Sequence, residues 1–311
     1  MDPQAYFRGR FVPLADANIN IRTHAFNYGT GCFEGIRGYW NEDAEQIFLY
    51  RVREHFQRLI MSGKSLGMTC PHSADELSEI AIELVRRNGH REDCYIRPIL
   101  YKGSEIVGVR LHNLDDHFAM FSTPLGKYIE APDGCRCGTS SFRRIDDNAI
   151  PARAKVTGGY INSALAKTEA QLNGFDEAIM LTHDGHVSEG SGENIFLVSG
   201  NTLVTPAPSD NILIGITRSS IIQLARDELG IKTIERSVDR SELFNADECF
   251  MTGTAAEVTP VIEVDRRPVG SRSIGPVTQK LQSLFFDVVH GRDKKYLEWC
   301  TPVYIRMGAE R

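Results

Sequence analysis

The sequence predicts an α+β fold in two domains, and three observations favour it. Strand-like apolar runs are frequent, helical patterns interrupt them without regular βαβ alternation, and one stretch rich in proline and glycine divides the chain. That stretch is TPLGKYIEAPDG, residues 123–134. We therefore expect a smaller α/β domain over residues 1–124, an interdomain linker over 125–134 and a larger domain over 135–311.

The first domain shows clear element signals. QIFLYR, CYIRPILY and HFAMFST have the composition of strands, and a helix is expected over residues 52–61. A second helix is predicted for SADELSEIAIELVRRNG, where Ser73 and Glu76 have capping-box spacing and Gly89 marks the end. Helices packed on a largely antiparallel sheet fit this order.

The second domain is richer in strands. Seven runs read as short strands: RCGTSSF, EAIMLT, NIFLVSG, NTLVTP, IKTIERSV, ECFMTG and VTPVIEV. Helices are expected over residues 160–173, 218–229, 241–246 and 275–287. With HDGH and SGN as hairpin turns, this order predicts a barrel-like mixed sheet.

Composition excludes several classes of protein. Of 311 residues, 41% are hydrophobic and 24% charged, which is ordinary for a globular chain, and the net charge of -6 argues against nucleic-acid binding. No apolar run approaches the ~20 residues that span a bilayer, and MDPQAYFRGR lacks the apolar core of a signal peptide. We expect a cytoplasmic protein that binds neither nucleic acid nor membrane.

The seven cysteines are too few and too irregular for a disulfide framework. Cys135 and Cys137 are the one close pair, and residues two apart share a face of a strand. A zinc site there would need two further ligands that no nearby His or Cys supplies, so we expect ordinary strand cysteines and no metal.

Two lysines lie in ARAKVTGGYINSALAKTEA, residues 152–170. Lys167 falls in a run of helical spacing and is followed by Glu169, so it is expected on the solvated face of a helix. Lys155 precedes Gly158 and Gly159 and stands among small apolar residues, where a long cation has no obvious role facing solvent. A desolvated lysine loses its proton more readily, as an imine-forming amine must.

Two segments of the second domain suit an anion. In GITRSSIIQLARDELG, free N–H groups at a helix start near Gly215, with hydroxyls of Thr217, Ser219 or Ser220, could hold a phosphate; the alternative is an ordinary threonine cap. In MTGTAAEVTP, Thr254 and Ala255 follow Gly253, and the alternative is a plain turn.

The segment VSEGSGENIFLV adds an acid. Glu189 stands next to glycines that allow close packing against its backbone. It is either a solvated carboxylate or the counter-charge of a bound heterocycle. A lysine, two phosphate-like sites and this acid are together the parts that a pyridoxal phosphate site needs.

The chain resembles the branched-chain amino acid aminotransferases, which are fold-type IV pyridoxal phosphate enzymes. The matching runs span about residues 20–265 in order: HAFNYGTGCFEGIRGY, REHFQRL, CYIRPILY, AKVTGGYINSALAKTEA, VSEGSGENIFLV, GITRSSII and ECFMTGTAAEVTPV. The resemblance implies the fold-type IV architecture and a ping-pong transamination of L-leucine, L-isoleucine or L-valine with 2-oxoglutarate. It also implies at least a homodimer.

The resemblance implies a role for each matched residue. Lys155 would form the Schiff base with pyridoxal 5'-phosphate and move the substrate proton, Glu189 would pair with the pyridine nitrogen, and Tyr160 would bond the phenolic oxygen. Other residues would hold the phosphate, namely Arg58, Ile216, Thr217 and Thr254. The substrate would contact Tyr28, Phe33, Gly35, Tyr95, Arg97, Tyr128, Tyr160, Thr254 and Ala255, with Tyr95, Thr254 and Ala255 on the α-carboxylate and Arg97, Tyr28 and Tyr128 on the γ-carboxylate of glutamate.

One region departs from the family pattern. After YIRPILYKG the chain continues SEIVGVRLHNLDD, a loop expected to cover the neighbouring subunit's active site, in which Arg110 and His112 either reach a substrate carboxylate or face solvent. The departure leaves the exact substrate range open, with an (R)-selective amine transaminase or broad-range aminotransferase on the same fold as the alternative. A second alternative is a relative that binds the cofactor without turnover, and the presence of Lys155, Glu189 and Tyr160 together argues against it.

Overall fold

The computed structural model of the protein describes residues 2–129 and 131–304. The strands, in chain order, are β1 Gln4–Phe7, β2 Arg10–Pro13, β3 Gly31–Phe33, β4 Ile36–Asn41, β5 Gln46–Tyr50, β6 Cys94–Lys102, β7 Asp116–Pro124, β8 Cys135–Thr139, β9 Glu177–Leu181, β10 Val187–Gly190, β11 Asn194–Ser199, β12 Thr202–Thr205, β13 Lys232–Glu235, β14 Glu248–Gly253, β15 Glu257–Val264, β16 Arg267–Pro268 and β17 Cys300–Pro302. The α-helices are α1 His24–Tyr28, α2 Val52–Ser65, α3 Ala74–Asn88, α4 Tyr160–Leu172, α5 Ile216–Leu229, α6 Glu242–Asn245 and α7 Pro276–Val289.

The chain divides into two compact units, and neither is continuous in sequence. The first comprises the chain up to Gly126, the short segment Ala154–Gly158 and the chain from Asp287 onward. The second comprises Lys127–Arg153 and Gly159–Phe286. The first passage between them falls inside the predicted linker. The predicted domain ranges 1–124, 125–134 and 135–311 remain a prediction. The first unit also contains two segments from later in the chain, Ala154–Gly158 and the chain from Asp287 onward.

The first unit is built on one antiparallel sheet. Its strand order is β17-β5-β4-β6-β7-β1-β2, and β3 pairs with β6 off this path. Helices α2 and α3 pack against each other and bury an apolar stripe that includes Phe56, Leu59, Leu77 and Leu84. The C-terminal strand β17 closes the edge by pairing with β5.

Helix α3 begins and ends where its sequence indicates. Ser73 accepts from the Glu76 N–H and Glu76 returns a bond to the Ser73 N–H, so the predicted capping box is confirmed. Gly89 ends the helix in the left-handed region at φ 63°. These signals lie within one helical turn of the boundary they set.

The second unit is built on a mixed sheet of order β10-β9-β8-β15-β14-β11-β12-β13, with β16 paired to β15. β8 runs parallel to β9 and β15, and β12 runs parallel to β13, while the other pairs are antiparallel. β10 begins this order, yet a turn joins it to β11 near the other end, where the Gly190 N–H donates to the Glu193 carbonyl at 2.6 Å. The sheet therefore curls on itself, and the predicted α+β class with a barrel-like mixed sheet is confirmed.

The predicted strands and helices of the second unit are present, including the hairpins at HDGH and SGN. Cys135 and Cys137 are buried in β8 with Sγ atoms 3.7 Å apart, which confirms that they share a strand face. None of the helices in the described part of the chain combines the length and apolar character that a bilayer crossing requires.

The expectation for Lys167 is wrong. Its ammonium donates to the carbonyl of Asp176 at 2.9 Å and to the carboxylate of Glu177, a side chain with no solvent exposure. Glu169, the expected neighbour of a solvated face, instead accepts from Ser140 and Ser141. Helical spacing places Lys167 in α4, but β9 packs on this helix and supplies Glu177, which pairs with the lysine ammonium.

Candidate active site

Lys155 lies beside β3 in the first unit, and both its backbone N–H and its backbone carbonyl are hydrogen-bonded. Its N–H donates to Ser62 Oγ at 3.1 Å, and its carbonyl accepts from the Phe33 N–H at 3.0 Å. The following residue, Val156, forms a bridge with Cys32. Lys155 Nζ then lies 5.0 Å from the centre of the Phe33 ring, so the amine is placed over an aromatic face.

Strand alternation puts Tyr95 and Arg97 on one face of β6. Arg97 donates to Tyr95 Oη at 2.8 Å, and its guanidinium lies 4.5 Å from the Phe33 ring centre. Arg97 Nε is buried and has no hydrogen-bond partner among the described residues. Gly35 fits here because a Cβ at this position would stand 2.1 Å from Tyr95 Oη. The first unit thus gathers Lys155, Phe33, Gly35, Tyr95 and Arg97, with a buried donor suited to an anion.

Arg58 is held by a buried carboxylate that sequence reasoning missed. Arg58 donates to Glu34 through Nε at 2.6 Å and through a terminal nitrogen at 2.8 Å, and His55 Nδ1 lies 2.8 Å from the same group. Although burial acts to raise it, Arg58 and His55 hold the pKa of Glu34 well below its usual range. Burial lowers the pKa of His55 even though Glu34 opposes this shift. The spacing of His55 and Arg58, three apart on α2, was the available signal.

Tyr28 lies at the end of α1, where it contacts His24 and the loop that contains Gly108. Its ring packs on His24 with centroids 4.7 Å apart, and its hydroxyl accepts from the Gly108 N–H at 3.1 Å. Arg110 and His112 are exposed in the same loop as Gly108.

Glu189 is a buried carboxylate of the second unit with several polar partners. Its Oε1 lies 2.7 Å from Arg144 Nε, and its Oε2 accepts from the Leu213 N–H at 3.0 Å and from Asn194 Nδ2 at 3.2 Å. Only 7% of the residue is exposed. Paired and hydrogen-bonded in this way, the carboxylate is fixed in orientation. Arg144 and Asn194 are functional candidates that the sequence did not single out.

The start of α5 lies against the same asparagine. Gly215 is the N-cap, no side chain caps the helix, and a Cβ on Gly215 would stand 2.2 Å from Asn194 Oδ1. The alternative of an ordinary threonine cap is therefore wrong. Ser219 and Ser220 donate back to the helix carbonyls of Gly215 and Ile216, whereas Thr217 is buried in the first turn. An uncapped helix start leaves N–H groups of Ile216 and Thr217 suited to an anion.

The remaining predicted residues of the second unit fall on element ends. Thr254 and Ala255 occupy the turn between β14 and β15, and Tyr160 begins α4 half-buried. Tyr128 is 52% exposed, with its ring centre 5.9 Å from Lys167 Nζ. Thr252, opposite Asn194 across β14 and β11, has a buried hydroxyl without a hydrogen-bond partner in the described part of the chain.

A second group of buried carboxylates adjoins Glu189. Glu193 is 4% exposed and accepts from the Gly192 N–H at 3.0 Å. Burial, together with the charges of Glu177 and Glu189, raises the pKa of Glu193 to about 8. Although burial acts to lower it, Glu177 raises the pKa of Lys167. The group therefore holds a neutral acid beside an ion pair near neutral pH.

Comparison with known proteins bears on this arrangement. The family model described as amino-transferase class IV matches residues 31–264, which include most of the site residues of both units. The chain belongs to the class IV aminotransferases. The resemblance drawn from the sequence, and the fold-type IV architecture it implied, are confirmed.

Relatives of this class IV aminotransferase carry a narrower name. The chain is 48% identical over 300 residues to a probable branched-chain-amino-acid aminotransferase of Aquifex aeolicus, covering 96% of each chain. It is 44% identical to the branched-chain aminotransferase of Thermoproteus uzoniensis, solved with norvaline, with a TM-score of 0.93 over 98% of this chain and 100% of the other. The branched-chain amino acid aminotransferase of Thermobaculum terrenum, solved in its PLP form, is 36% identical with a TM-score of 0.92 over 98% and 99%. The chain is thus a branched-chain aminotransferase by family.

Proposed function

We propose that this enzyme transfers the amino group of L-leucine, L-isoleucine or L-valine to 2-oxoglutarate, giving branched-chain 2-oxo acids and L-glutamate in a ping-pong reaction with pyridoxal 5'-phosphate. The observation that carries the proposal is the group around Lys155. An amine lies over the Phe33 ring, and Arg97, with a buried unpaired Nε, lies against the same ring.

The second unit offers groups that fit the cofactor. Glu189, fixed by Arg144 and Asn194, is an acid that can keep a ring nitrogen protonated. The uncapped start of α5 supplies N–H donors for a phosphate, and the unsatisfied Thr252 hydroxyl adds a further donor on the strand face of Asn194. When bound, pyridoxal phosphate supplies the electron sink that makes the substrate Cα proton acidic.

The proposed reaction gives each cofactor-binding residue a role. Lys155 holds the cofactor and moves the proton at the substrate Cα. Tyr160 hydrogen-bonds the phenolic oxygen of the cofactor. Arg58, aligned by Glu34, contributes to phosphate binding with Ile216, Thr217 and Thr254. A positioned lysine with an oriented acid is the arrangement that general acid–base proton transfer requires.

Substrate recognition needs one pocket for an apolar and a charged side chain. Phe33 and Gly35 provide an apolar wall without bulk, and Arg97 pairs the γ-carboxylate of glutamate at its rim. We assign Tyr95 and the N–H groups of Thr254 and Ala255 to the α-carboxylate. Tyr28 and Tyr128 contribute hydroxyls for the γ-carboxylate.

A homo-oligomer, at least a dimer, is part of the proposal. Four large apolar side chains are prominently exposed on α1 and its preceding loop and on the loop of residues 103–115, namely Ile21 at 78%, Phe26 at 66%, Val107 at 90% and Val109 at 85%. The two segments are hydrogen-bonded to each other through Arg22 and Glu105, and exposed apolar side chains on them favour a protein partner over bulk water, of which a second copy is the simplest.

The absorbance spectrum of the purified protein tests the function. We expect a visible band that shifts on addition of leucine, together with glutamate formation when 2-oxoglutarate is present. Lys155→Ala should abolish the band and turnover, whereas Lys64→Ala, on the exposed side of α2, should preserve both.

Three outcomes would reject the proposal. If the Lys155→Ala variant keeps both the visible band and turnover, the role assigned to Lys155 is wrong. A band that does not respond to leucine indicates binding without turnover. Faster turnover of (R)-1-phenylethylamine than of leucine would indicate the amine transaminase alternative.

A further inference from the structure

The loop of residues 103–115, which departs from the family pattern, is closed at its base. The Gly103 N–H donates to the Asp115 carbonyl at 2.8 Å, and Ser104 Oγ exchanges bonds with the N–H and carboxylate of Asp115 at 2.8 and 3.0 Å. Arg22 also donates to the Glu105 carbonyl at 3.0 Å. These hydrogen bonds hold the base of the loop, and a separate set of contacts holds its tip.

At the tip of the loop, two side chains of α1 hydrogen-bond to the backbone N–H and carbonyl of a single residue. His24 Nε2 lies 2.7 Å from the Gly108 carbonyl, and the Gly108 N–H donates to Tyr28 Oη at 3.1 Å. His24 and Tyr28 are four apart on the helix, and their rings pack with centroids 4.7 Å apart. The two rings form a two-point clamp on Gly108.

The partners of His24 determine its tautomer. A carbonyl oxygen only accepts, so Nε2 carries a proton, while Nδ1 lies 2.7 Å from Thr30 Oγ1, a hydroxyl that can serve as its hydrogen-bond partner. His24 is completely buried, so losing either bond leaves a polar group unsatisfied. Because Tyr28 Oη accepts from Gly108, its own O–H remains available as a donor.

The clamped residue has to be glycine. Its φ is 137°, which side chains rarely adopt. The flanking residues Val107 and Val109 point outward with 90% and 85% of their surface exposed. Gripping the backbone at Gly108 therefore fixes both the direction of the Tyr28 hydroxyl and the presentation of the two valines.

We propose that His24 is a positioning residue that, through its clamp on Gly108, fixes the Tyr28 hydroxyl and the tip of the loop for binding of the 2-oxo diacid substrate. The inference rests on the proposed function for its substrate. The clamp itself is a property of the fold and can be tested without turnover.

Hydrogen–deuterium exchange on the cofactor-loaded enzyme, with no amino donor added, tests the clamp. His24→Phe keeps the aromatic volume and removes both hydrogen-bonding nitrogens, and Tyr28→Phe removes one oxygen. Each should speed amide exchange in residues 104–110 roughly 5- to 30-fold, because each removes one hydrogen bond to Gly108. His72→Phe is the matched control, since His72 bonds a different tyrosine, Tyr6, at 3.1 Å, and should leave this loop unchanged.

Kinetics separate a positioning role from a merely structural one. For His24→Phe we expect the KM for 2-oxoglutarate to rise roughly 5- to 30-fold with a much smaller change in kcat, because Lys155 is untouched. If loop exchange in both variants matches that of the wild type, the clamp is refuted. If loop exchange rises but KM for 2-oxoglutarate does not, the positioning role is refuted. If the wild type fails to transaminate leucine, the proposed function fails while the exchange result still decides the clamp.

Discussion

Arg97→Ala is the sharpest test of a pocket that accepts both charged and apolar side chains. The wild-type guanidinium lies 4.5 Å from the Phe33 ring centre and 5.1 Å from the Tyr95 ring centre, and it donates to Tyr95 Oη at 2.8 Å. Its Nε is buried without a partner in the described part of the chain. Truncation therefore removes a fixed cation with a buried Nε donor that has no hydrogen-bond partner among the described residues.

The expected losses differ between the two substrates. For glutamate, losing a charge-assisted partner in a desolvated site costs about 2–5 kcal/mol, or roughly 30- to 5,000-fold in kcat/KM. Leucine loses only the packing of the guanidinium on Phe33, about 0.5–2 kcal/mol, or roughly 2- to 30-fold. At the middle of the two ranges the losses differ by about 2.25 kcal/mol, so the ratio of the two kcat/KM values should shift roughly 45-fold toward leucine.

Both half-reactions can be measured separately by single-turnover absorbance, with glutamate and leucine as the alternative amino donors. Arg97→Lys keeps the charge but loses the planar fork, so an intermediate loss is expected. Arg110→Ala serves as the control, because Arg110 is exposed and should change either rate by less than about twofold. An equal loss for glutamate and leucine in Arg97→Ala would refute the dual pocket, and a glutamate-specific loss in Arg110→Ala would move the carboxylate partner to the loop.

Three further predictions concern the buried charges. The raised pKa of Glu193 gives stability that is complete below the ordinary carboxyl pKa of 4.5 and is lost as pH rises through about 8. Urea unfolding should therefore show a decline of up to about 1.4 kcal/mol per pH unit in that window, which Glu193→Gln removes; an unchanged slope contradicts the assignment. Glu34→Ala leaves Arg58 without its buried carboxylate and should cost about 3–5 kcal/mol in unfolding free energy at neutral pH. Because the pKa of Glu34 is lowered, this deficit should shrink as pH falls below the ordinary carboxyl pKa, and a pH-independent deficit would mean that cavity formation dominates. Lys167→Met strands Glu177 and should lower Tm, whereas Lys167→Met with Glu177→Leu should recover much of it; a double variant no better than the single one would show that packing, not charge, is decisive.

Local signals in the sequence predicted the parts of the fold that local contacts determine. The capping box of Ser73 and Glu76 and the stop at Gly89 act within a turn of α3, so its bounds could be read directly. The roles of Lys155 and Glu189 were suggested by neighbouring glycines and apolar residues, and they stay predictions; Lys155 lies over the Phe33 ring and Glu189 pairs with Arg144. Both kinds of signal lie within a few residues of what they predict.

Features set by distant partners were not predicted. Strands β3 and β4 were missed because Gly31, Gly35 and Gly38 resemble loop residues, whereas Gly35 is required by the Tyr95 hydroxyl sixty positions later. The solvated assignment of Lys167 failed because its partner Glu177 belongs to a strand that packs on the helix. No pattern within α4 carries that information.

The five residues Ala154–Gly158 belong to the first unit, although the chain before and after them belongs to the second. The polypeptide thus passes between units four times, and the passage at residue 154 brings Lys155, the proposed Schiff-base lysine, into the first unit. A gene fragment ending at Gly126 would encode every other site residue of its unit but not Lys155, nor the edge strand β17. A ribosome must therefore complete most of the chain before the first unit has all of its segments, and a chain cut at the linker would leave that unit without Lys155 and without β17.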